Sequence, residues 1–208
     1  MTYDLRKAGM NSFFAMLSRM KNISRWALMR NTQRESLSEH TLETAVLAHA
    51  LANIRVARFG GSINPDRVAA LALYHDASEI LTGDMPTPAK YHSPTLREAY
   101  GKLEREAAHR LLSLLPDYLH PAYRSLLLPD SGEQADADDT YSRRLVKAAD
   151  KLSALIKCIE ERKAGNQEFT SAEAATRNTL RDMGLPEVDV FIDEFLPAYG
   201  KTLDEMQD

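Results

Sequence analysis

A histidine and an aspartate stand side by side, His75-Asp76, at the end of an almost unbroken apolar run, Val68-Ala69-Ala70-Leu71-Ala72-Leu73-Tyr74. An ionised carboxylate beside such a run is costly unless something pairs with it, because desolvating a charge is expensive. A divalent cation is an efficient partner. First-row divalent metals accept imidazole and carboxylate together. Two more donors lie at plausible places, His40 in Ser38-Glu39-His40-Thr41 and Asp150 in Val146-Lys147-Ala148-Ala149-Asp150-Lys151-Leu152. Four protein ligands around an octahedral-type ion leave positions for water and a substrate oxygen. Such a site is catalytic rather than closed and structural. A His-Asp dipeptide alone is common by chance. The spaced set His40, His75, Asp76 and Asp150 is the more specific signal.

Other residues near these four could handle a substrate. Glu79 follows His75 by about one helical turn and could position water or carry a proton. It reads equally well as a solvent-facing glutamate at a helix end. Arg25-Trp26 joins a guanidinium, which holds phosphate oxygens bidentately, to the only tryptophan of the chain, which can wall a pocket. Taken by itself, the pair is more simply a core tryptophan beside a surface arginine. The other basic residues of this stretch, Arg19, Lys21, Arg30 and Arg34, are spread evenly and read as solvated. Thr82-Gly83-Asp84-Met85-Pro86-Thr87 leaves the His-Asp helix as a Gly/Pro loop, either ordinary turn chemistry or a segment that places side chains over a site. His49 is about 180° round the helix from His40 and cannot share its metal through that helix. His92, His109 and His120 lie in or beside polar segments.

The elements that must position these residues are helices. Apolar spacing is helical throughout and strand alternation is rare, so the expected fold is all-α. The first helix covers about 11–20. The second starts near Ser36 or Ser38, where Ser36-x-x-Glu39 can form a capping box, and runs to about Arg58 before Gly60-Gly61. Asn64-Pro65 opens the third, which carries His75-Asp76. Residues 81–93 read as a loop, and Ser93-Pro94 opens the next helix. Pro116 and Pro121 bound a short helix that ends before Pro129. Residues 130–139 form an acidic loop. A long helix, about 140–164, carries Asp150, Thr170-x-x-Glu173 caps its successor, and Pro186 precedes the last helix. The chain has 208 residues, is 44% hydrophobic and carries a net charge of −4, so its surface as a whole is not a nucleic-acid glove. No apolar run approaches the roughly 20 residues that span a membrane, and the N-terminus lacks the form of a signal peptide. The single cysteine, Cys158, excludes an internal disulfide, reads as a small core residue and fits a reducing cytoplasm. With no composition shift to mark a boundary, residues 1–208 read as one domain.

Longer strings narrow the comparison. Ser24-Arg25-Trp26-x-Leu28-Met29-Arg30-Asn31, Ser38-Glu39-His40, Tyr74-His75-Asp76-Ala77-Ser78-Glu79, Leu81-Thr82-Gly83-Asp84-x-Pro86-Thr87-Pro88 and Lys147-Ala148-Ala149-Asp150 together resemble the bacterial HD-domain 5′-deoxynucleotidases. The resemblance runs from about Ser12 to the C-terminus, leaving 1–11 as an N-terminal extension. It implies a helical HD-domain bundle acting as a homodimer in the cytoplasm. One divalent ion per subunit (manganese, cobalt, zinc or iron) would be bound by His40, His75, Asp76 and Asp150. The substrates would be deoxyribonucleoside 5′-monophosphates, with no nucleic-acid polymer and no membrane as partner. Arg25 would orient the phosphate, Trp26 would wall the sugar, and Asp84 would hold the 3′-hydroxyl. His40, Met85, Pro86 and Thr87 would also line the substrate, and Glu79 would handle water or the leaving-group proton. Alternatives are an HD-domain phosphodiesterase, a nucleoside triphosphate hydrolase, or a non-catalytic metal-bound nucleotide sensor.

Overall fold

Side-chain caps open four of the helices, three of them among the longest. The structure, a computed structural model, describes residues 11–90, 92–129 and 136–207, excluding the side chains of Thr87 and Pro88. Helix α1 (Phe13–Leu17) runs into a 3₁₀ turn, Ser18–Asn22. Helix α2 (Leu37–Ile54) opens with the expected capping box, Ser36 and Glu39 satisfying each other's backbone N–H, and ends in a π turn, Arg55–Phe59. Helix α3 (Pro65–Tyr74) starts on Asn64, whose side-chain oxygen accepts from the N–H groups of Asp66 and Arg67. Two single-turn helices follow, α4 (Glu79–Thr82) and α5 (Thr87–Lys90). Helix α6 (Pro94–Leu112) is capped by Ser93, and α7 spans His120–Leu127. The long α8 (Ala137–Lys163) starts on Asp136, then come α9 (Thr170–Asp182) and α10 (Pro186–Glu194). Among the described residues the only β pairing is an isolated bridge, Ser24 with Ser36. No described helix is long and apolar enough to cross a membrane.

Three local expectations change. Residues 81–93 are not one loop, since α5 and the last turn of α4 fall inside them. The acidic stretch gives way to helix at Ala137, because Asp136 caps it. Thr170 and Glu173 make no capping box. The Thr170 hydroxyl donates to the Gln167 carbonyl, and Glu173 is held by Arg162 and Arg177. Salt-bridging arginines outcompete a backbone N–H for that carboxylate.

Two hydrophobic clusters form. The larger is built from α2, α3, α8, α9 and α10 around Leu47, Leu51, Val68, Leu71, Leu152 and Leu155. Small residues, Ala45, Ala48, Ala52 and Ala149, line it and let the helices approach closely. Cys158 is buried as expected, and its thiol is pushed up to about 12 by burial. The smaller cluster gathers Phe13, Leu111, Leu115 and Leu128, with the rings of Tyr74 and Tyr123 packed on it. Leu71 and Ala72 belong to the first cluster, and Tyr74 and Ala77 to the second. His75-Asp76 therefore lies on the seam between them.

The connection from α1 to α2 is pinned from below by one buried carboxylate. Glu161 accepts from the backbone N–H groups of Thr32 and Gln33, the Thr32 hydroxyl, the Asn166 amide and the Lys157 ammonium. Lys157 also donates to the Gln33 carbonyl. Glu161 is 1% exposed and Lys157 7% exposed, so removing either leaves a charge buried without its partner. Glu161→Ala is expected to lower the unfolding free energy by about 3–5 kcal/mol, measured by urea denaturation. A loss below about 1 kcal/mol would show that water replaces the carboxylate there.

Candidate active site

The helix that carries His75-Asp76 stops at them. His75 is the C-cap of α3, and tight turns follow, Ala77 N–H to Tyr74 carbonyl at 3.1 Å and Glu79 N–H to Asp76 carbonyl at 3.0 Å. The His75 ring turns back so that Nδ1 lies 2.7 Å from the Ala72 carbonyl oxygen. A carbonyl can only accept, so Nδ1 carries the proton and Nε2 presents a lone pair. That Nε2 is buried without a hydrogen-bond partner, although Asp76 Oδ2 lies 3.0 Å away. Close approach without a directed hydrogen bond is what two lone pairs aimed at a common cation produce.

His40 adds a second ring in the same sense. It is fully buried in the first turn of α2, with Nε2 3.6 Å from Asp76 Oδ2 and 3.3 Å from Asp150 Oδ1. Its Nδ1 lies 3.0 Å from the Ser153 hydroxyl, which donates its own proton to Glu43. Ser153 must therefore accept from His40 Nδ1–H, which leaves Nε2 as a lone pair. Donor atoms of His40, His75 and Asp76 all lie within 4.8 Å of one another. Asp150, from the middle of α8, closes the group through His40. The donor set thus fits a divalent cation, with two imidazoles whose outer nitrogens are already committed and two carboxylates.

Charge is crowded here. Burial drives His40 towards its neutral form. Burial also pulls the His75 imidazole down, but Asp76 and Asp150 overcome it and push His75 up to about 9. Burial opposes ionisation of Asp150, yet the His40 ring 3.3 Å away and the Lys151 charge beside it hold it well below the usual carboxylate range. The carboxylates that raise His75 would equally attract a cation to this point.

Glu79 is not solvent-facing. It opens α4, is 8% exposed, and its Oε2 is buried with no hydrogen-bond partner. Burial, with the neighbouring charges of Asp76 and Asp84, pushes its carboxyl up to about 9, so it holds a proton at neutral pH. Asp84, too, is raised by burial, opposed by the Arg25 charge. The backbone reaches Asp84 through Gly83, whose φ of +75° favours glycine, and the Tyr100 hydroxyl donates to the Gly83 carbonyl at 3.0 Å. Met85 and Pro86 are half-buried in the same linker, while the side chain of Thr87 lies outside the described residues.

Arg25 and Trp26 sit in the loop closed by the Ser24–Ser36 bridge. Arg25 is largely buried, with Nη2 3.9 Å from Asp150 Oδ1, whereas Arg30 is 94% exposed and Arg19, Lys21 and Arg34 are solvated as expected. Burial works against the Arg25 charge, but Glu35, Asp150, Asp76 and Asp84 outweigh it. Trp26 packs on the buried Phe169, ring centroids 5.3 Å apart. Its φ is +56°, the only positive value among described non-glycine residues. Such strain costs about 1–3 kcal/mol and persists only where surroundings over-determine it.

A largely buried arginine, a buried carboxyl that burial and its neighbours push up, and a two-imidazole, two-carboxylate cluster lie together. Residues 12–199 match the family model described as 5′-deoxynucleotidase YfbR-like. The chain belongs to the YfbR-like 5′-deoxynucleotidase family. A 5′-deoxynucleotidase of Pectobacterium atrosepticum is 48% identical over 93% of this chain and 94% of its own length. One of Erwinia tasmaniensis is 47% identical over 93% and 95%. Among solved structures, an HD-domain phosphohydrolase from Listeria innocua is 25% identical, with a TM-score of 0.75 over 94% of this chain and 92% of its own. The cyanophage S-2L HD phosphohydrolase DatZ, solved with dA and one catalytic Zn²⁺, is 17% identical with a TM-score of 0.61 over 88% and 95%, a likeness of fold.

The match begins at residue 12, as the sequence strings implied, and ends at 199, short of the C-terminus. The remaining histidines of this YfbR-like chain stay outside the cluster. His49 lies beside Asp66 and Asn53, His120 bonds the Leu115 carbonyl, and His92 and His109 are exposed. Sequence reasoning missed Glu35, Glu43, Ser153 and Tyr100. Only Glu35 carried a local signal, an acidic residue directly before the Ser36 cap. If Ser153 fixes the His40 tautomer, Ser153→Ala is expected to weaken divalent metal binding about 10–100-fold. The helical circular-dichroism spectrum should be retained. Competition with a chelating dye measures the affinity, and an unchanged value would remove Ser153 from that role.

Proposed function

We propose that the chain removes the 5′-phosphate from deoxyribonucleoside 5′-monophosphates, in preference to ribonucleotides, at a single divalent-metal site. The observation that carries this reading is the convergence of donor atoms of His40, His75 and Asp76 within 4.8 Å of one another, with Asp150 3.3 Å from His40 and the Arg25 guanidinium 3.9 Å from Asp150. His40, His75, Asp76 and Asp150 would hold one ion per subunit, and manganese, cobalt, zinc and iron all suit the donors. Such an ion supplies Lewis-acid charge and lowers the pKa of bound water.

The chain's own side chains do the rest. Arg25 faces the phosphate and spreads the charge that develops on its oxygens. A water oxygen bonds phosphorus as the bond to the nucleoside 5′-oxygen breaks; Glu79, protonated and buried, gives its proton to that departing oxygen and regains one from the solvent. Asp84 accepts from the sugar 3′-hydroxyl. Trp26, braced by Phe169, stands against C2′ and clashes with an added hydroxyl. His40, Met85, Pro86 and Thr87 complete the lining. Residues 1–208 act as one domain in this reading, since site residues span Arg25 to Asp150. Cytoplasmic residence is supported by the lone buried thiol of Cys158, and a homodimer by the family and by the exposed Leu42 and Val46 one turn apart on α2.

The test is phosphate release from matched deoxyribo- and ribonucleoside monophosphates, a cyclic nucleotide and a deoxynucleoside triphosphate, each with manganese, cobalt, zinc or iron. Release from the deoxynucleoside monophosphates, abolished by chelator, is expected, from a dimer in light scattering. Linear nucleotide or triphosphate as the main product would replace this reading with a phosphodiesterase or triphosphate hydrolase. Binding without turnover would make the protein a sensor. Glu79→Gln should keep metal content and substrate affinity but lower kcat by about 10²–10⁴. It should also remove the alkaline fall in rate that comes from losing the Glu79 proton. A variant with wild-type kcat would exclude Glu79 from proton transfer.

A further inference from the structure

We propose that Glu35 is a positioning residue that locks Arg25 and Trp26 into one unit, so that phosphate recognition and sugar selection are set together. This deepens the reading above and rests on the roles given there to Arg25 and Trp26.

The two oxygens of Glu35 are committed separately. Oε1 accepts from Arg25 Nη1 at 3.0 Å, and Oε2 accepts from Trp26 Nε1 at 2.8 Å. The Arg25 and Glu35 side chains are each 12% exposed, so both bonds work in a poorly solvated setting. The guanidinium carbon lies 5.9 Å from the indole centroid, so the two groups are also neighbours of each other. The backbone repeats the clamp, with Arg25 N–H donating to the Glu35 carbonyl at 3.0 Å beside the Ser24–Ser36 bridge.

The strained backbone at Trp26 gives this geometry its meaning. A non-glycine residue at φ +56° needs several restraints at once. Asn31 and the Met29 N–H hold the Trp26 carbonyl, and Phe169 supports one face of the indole. Glu35 holds the indole N–H, and it is the restraint that reaches the site. Its Oε1 also lies 3.6 Å from His40 Nδ1, while Arg25 Nη2 reaches towards Asp150. Glu35 thus fixes the indole relative to the guanidinium, and both relative to the cluster.

A carboxylate is required because both partners are donors. Glutamine at this position offers one acceptor oxygen, and its NH₂ must face the other donor. Glu35→Gln therefore breaks one arm with almost no change of volume. Glu35→Asp keeps both acceptors but draws them back by one methylene.

Trp26 is the only tryptophan, so its indole ¹H–¹⁵N resonance and its fluorescence report on this clamp alone. In Glu35→Gln the indole resonance is expected to shift and its hydrogen exchange to quicken. KM for deoxyadenosine 5′-monophosphate should rise roughly ten- to hundredfold, the weight of one charge-assisted hydrogen bond. The deoxy-to-ribo ratio of kcat/KM should fall towards that of Trp26→Ala. Metal content by elemental analysis should be unchanged, and Glu35→Asp should restore part of both kinetic effects. Wild-type indole signals and kinetics in Glu35→Gln would overturn the proposal. So would a raised KM with an unchanged sugar ratio, because Glu35 would then serve Arg25 alone. Should Glu35→Gln not fold, Glu35→Asp carries the same comparison. If the wild type releases no phosphate, the functional reading fails. The clamp is then still read from the indole resonance during titration with the deoxynucleotide, and identical responses in wild type and variant would refute it.

Discussion

Four carboxyl groups and one guanidinium are crowded onto the seam between two hydrophobic clusters, where water can stabilise few of them. Asp76 feels Asp150, and Glu79 and Asp84 feel Asp76 and each other, while two cations reach Asp150, Lys151 at 2.9 Å and Arg25 at 3.9 Å. A protein cannot bury that much like charge unless protons or cations relieve it. Here the relief is divided. Asp76 and Asp150 stay ionised because imidazoles stand against them. Glu79 has no such partner and keeps its proton. Carboxyls pushed apart in this way acquire different chemical roles, one set suited to a cation and the other to proton transfer.

The scaffold follows from that crowding. Both imidazoles would be useless as ligands if their rings could rotate. The Ala72 carbonyl fixes one, and Ser153, itself tied to Glu43, fixes the other. The carbonyl of Ala72 is within reach because α3 ends at Tyr74 and the ring folds back along the last turn. The end of the helix is thus part of the site's chemistry. The alanines of α2 and α8 matter for the same reason, since closely packed helices bring His40 and Asp150 within 3.3 Å.

The two irregular segments beside the cluster are held by longer ties. The loop carrying Arg25 and Trp26 contributes no residue to either hydrophobic cluster, and it is fixed at its base by Glu161 and Lys157 and at its mouth by the Ser24–Ser36 bridge. The linker carrying Asp84 is likewise held through Gly83 by Tyr100. Both segments are irregular backbone tied to long helices, which lets them be shaped for a ligand while remaining placed.

The sequence by itself determined the parts governed by local physics. Helical apolar spacing set the all-α class, and the Ser36-Glu39 box, Asn64-Pro65 and Ser93-Pro94 set the starts of α2, α3 and α6, because caps and periodicity act within a few residues. The four metal-ligating candidates were legible because few residue types offer such donors. What Glu79 does was open in the sequence, since a glutamate after His-Asp is either solvated or buried, and only packing made it a buried acid. Ser153, Glu43 and Tyr100 were invisible for the same reason, and Glu35 carried only its place before the Ser36 cap. Serine, glutamate and tyrosine are common everywhere, and these act through partners brought close by the fold, His40 to Ser153 across 113 positions and Thr32 to Glu161 across 129. Tertiary structure decided their roles, because burial and the direction of a hydrogen bond, not residue type, settle which atom carries the proton.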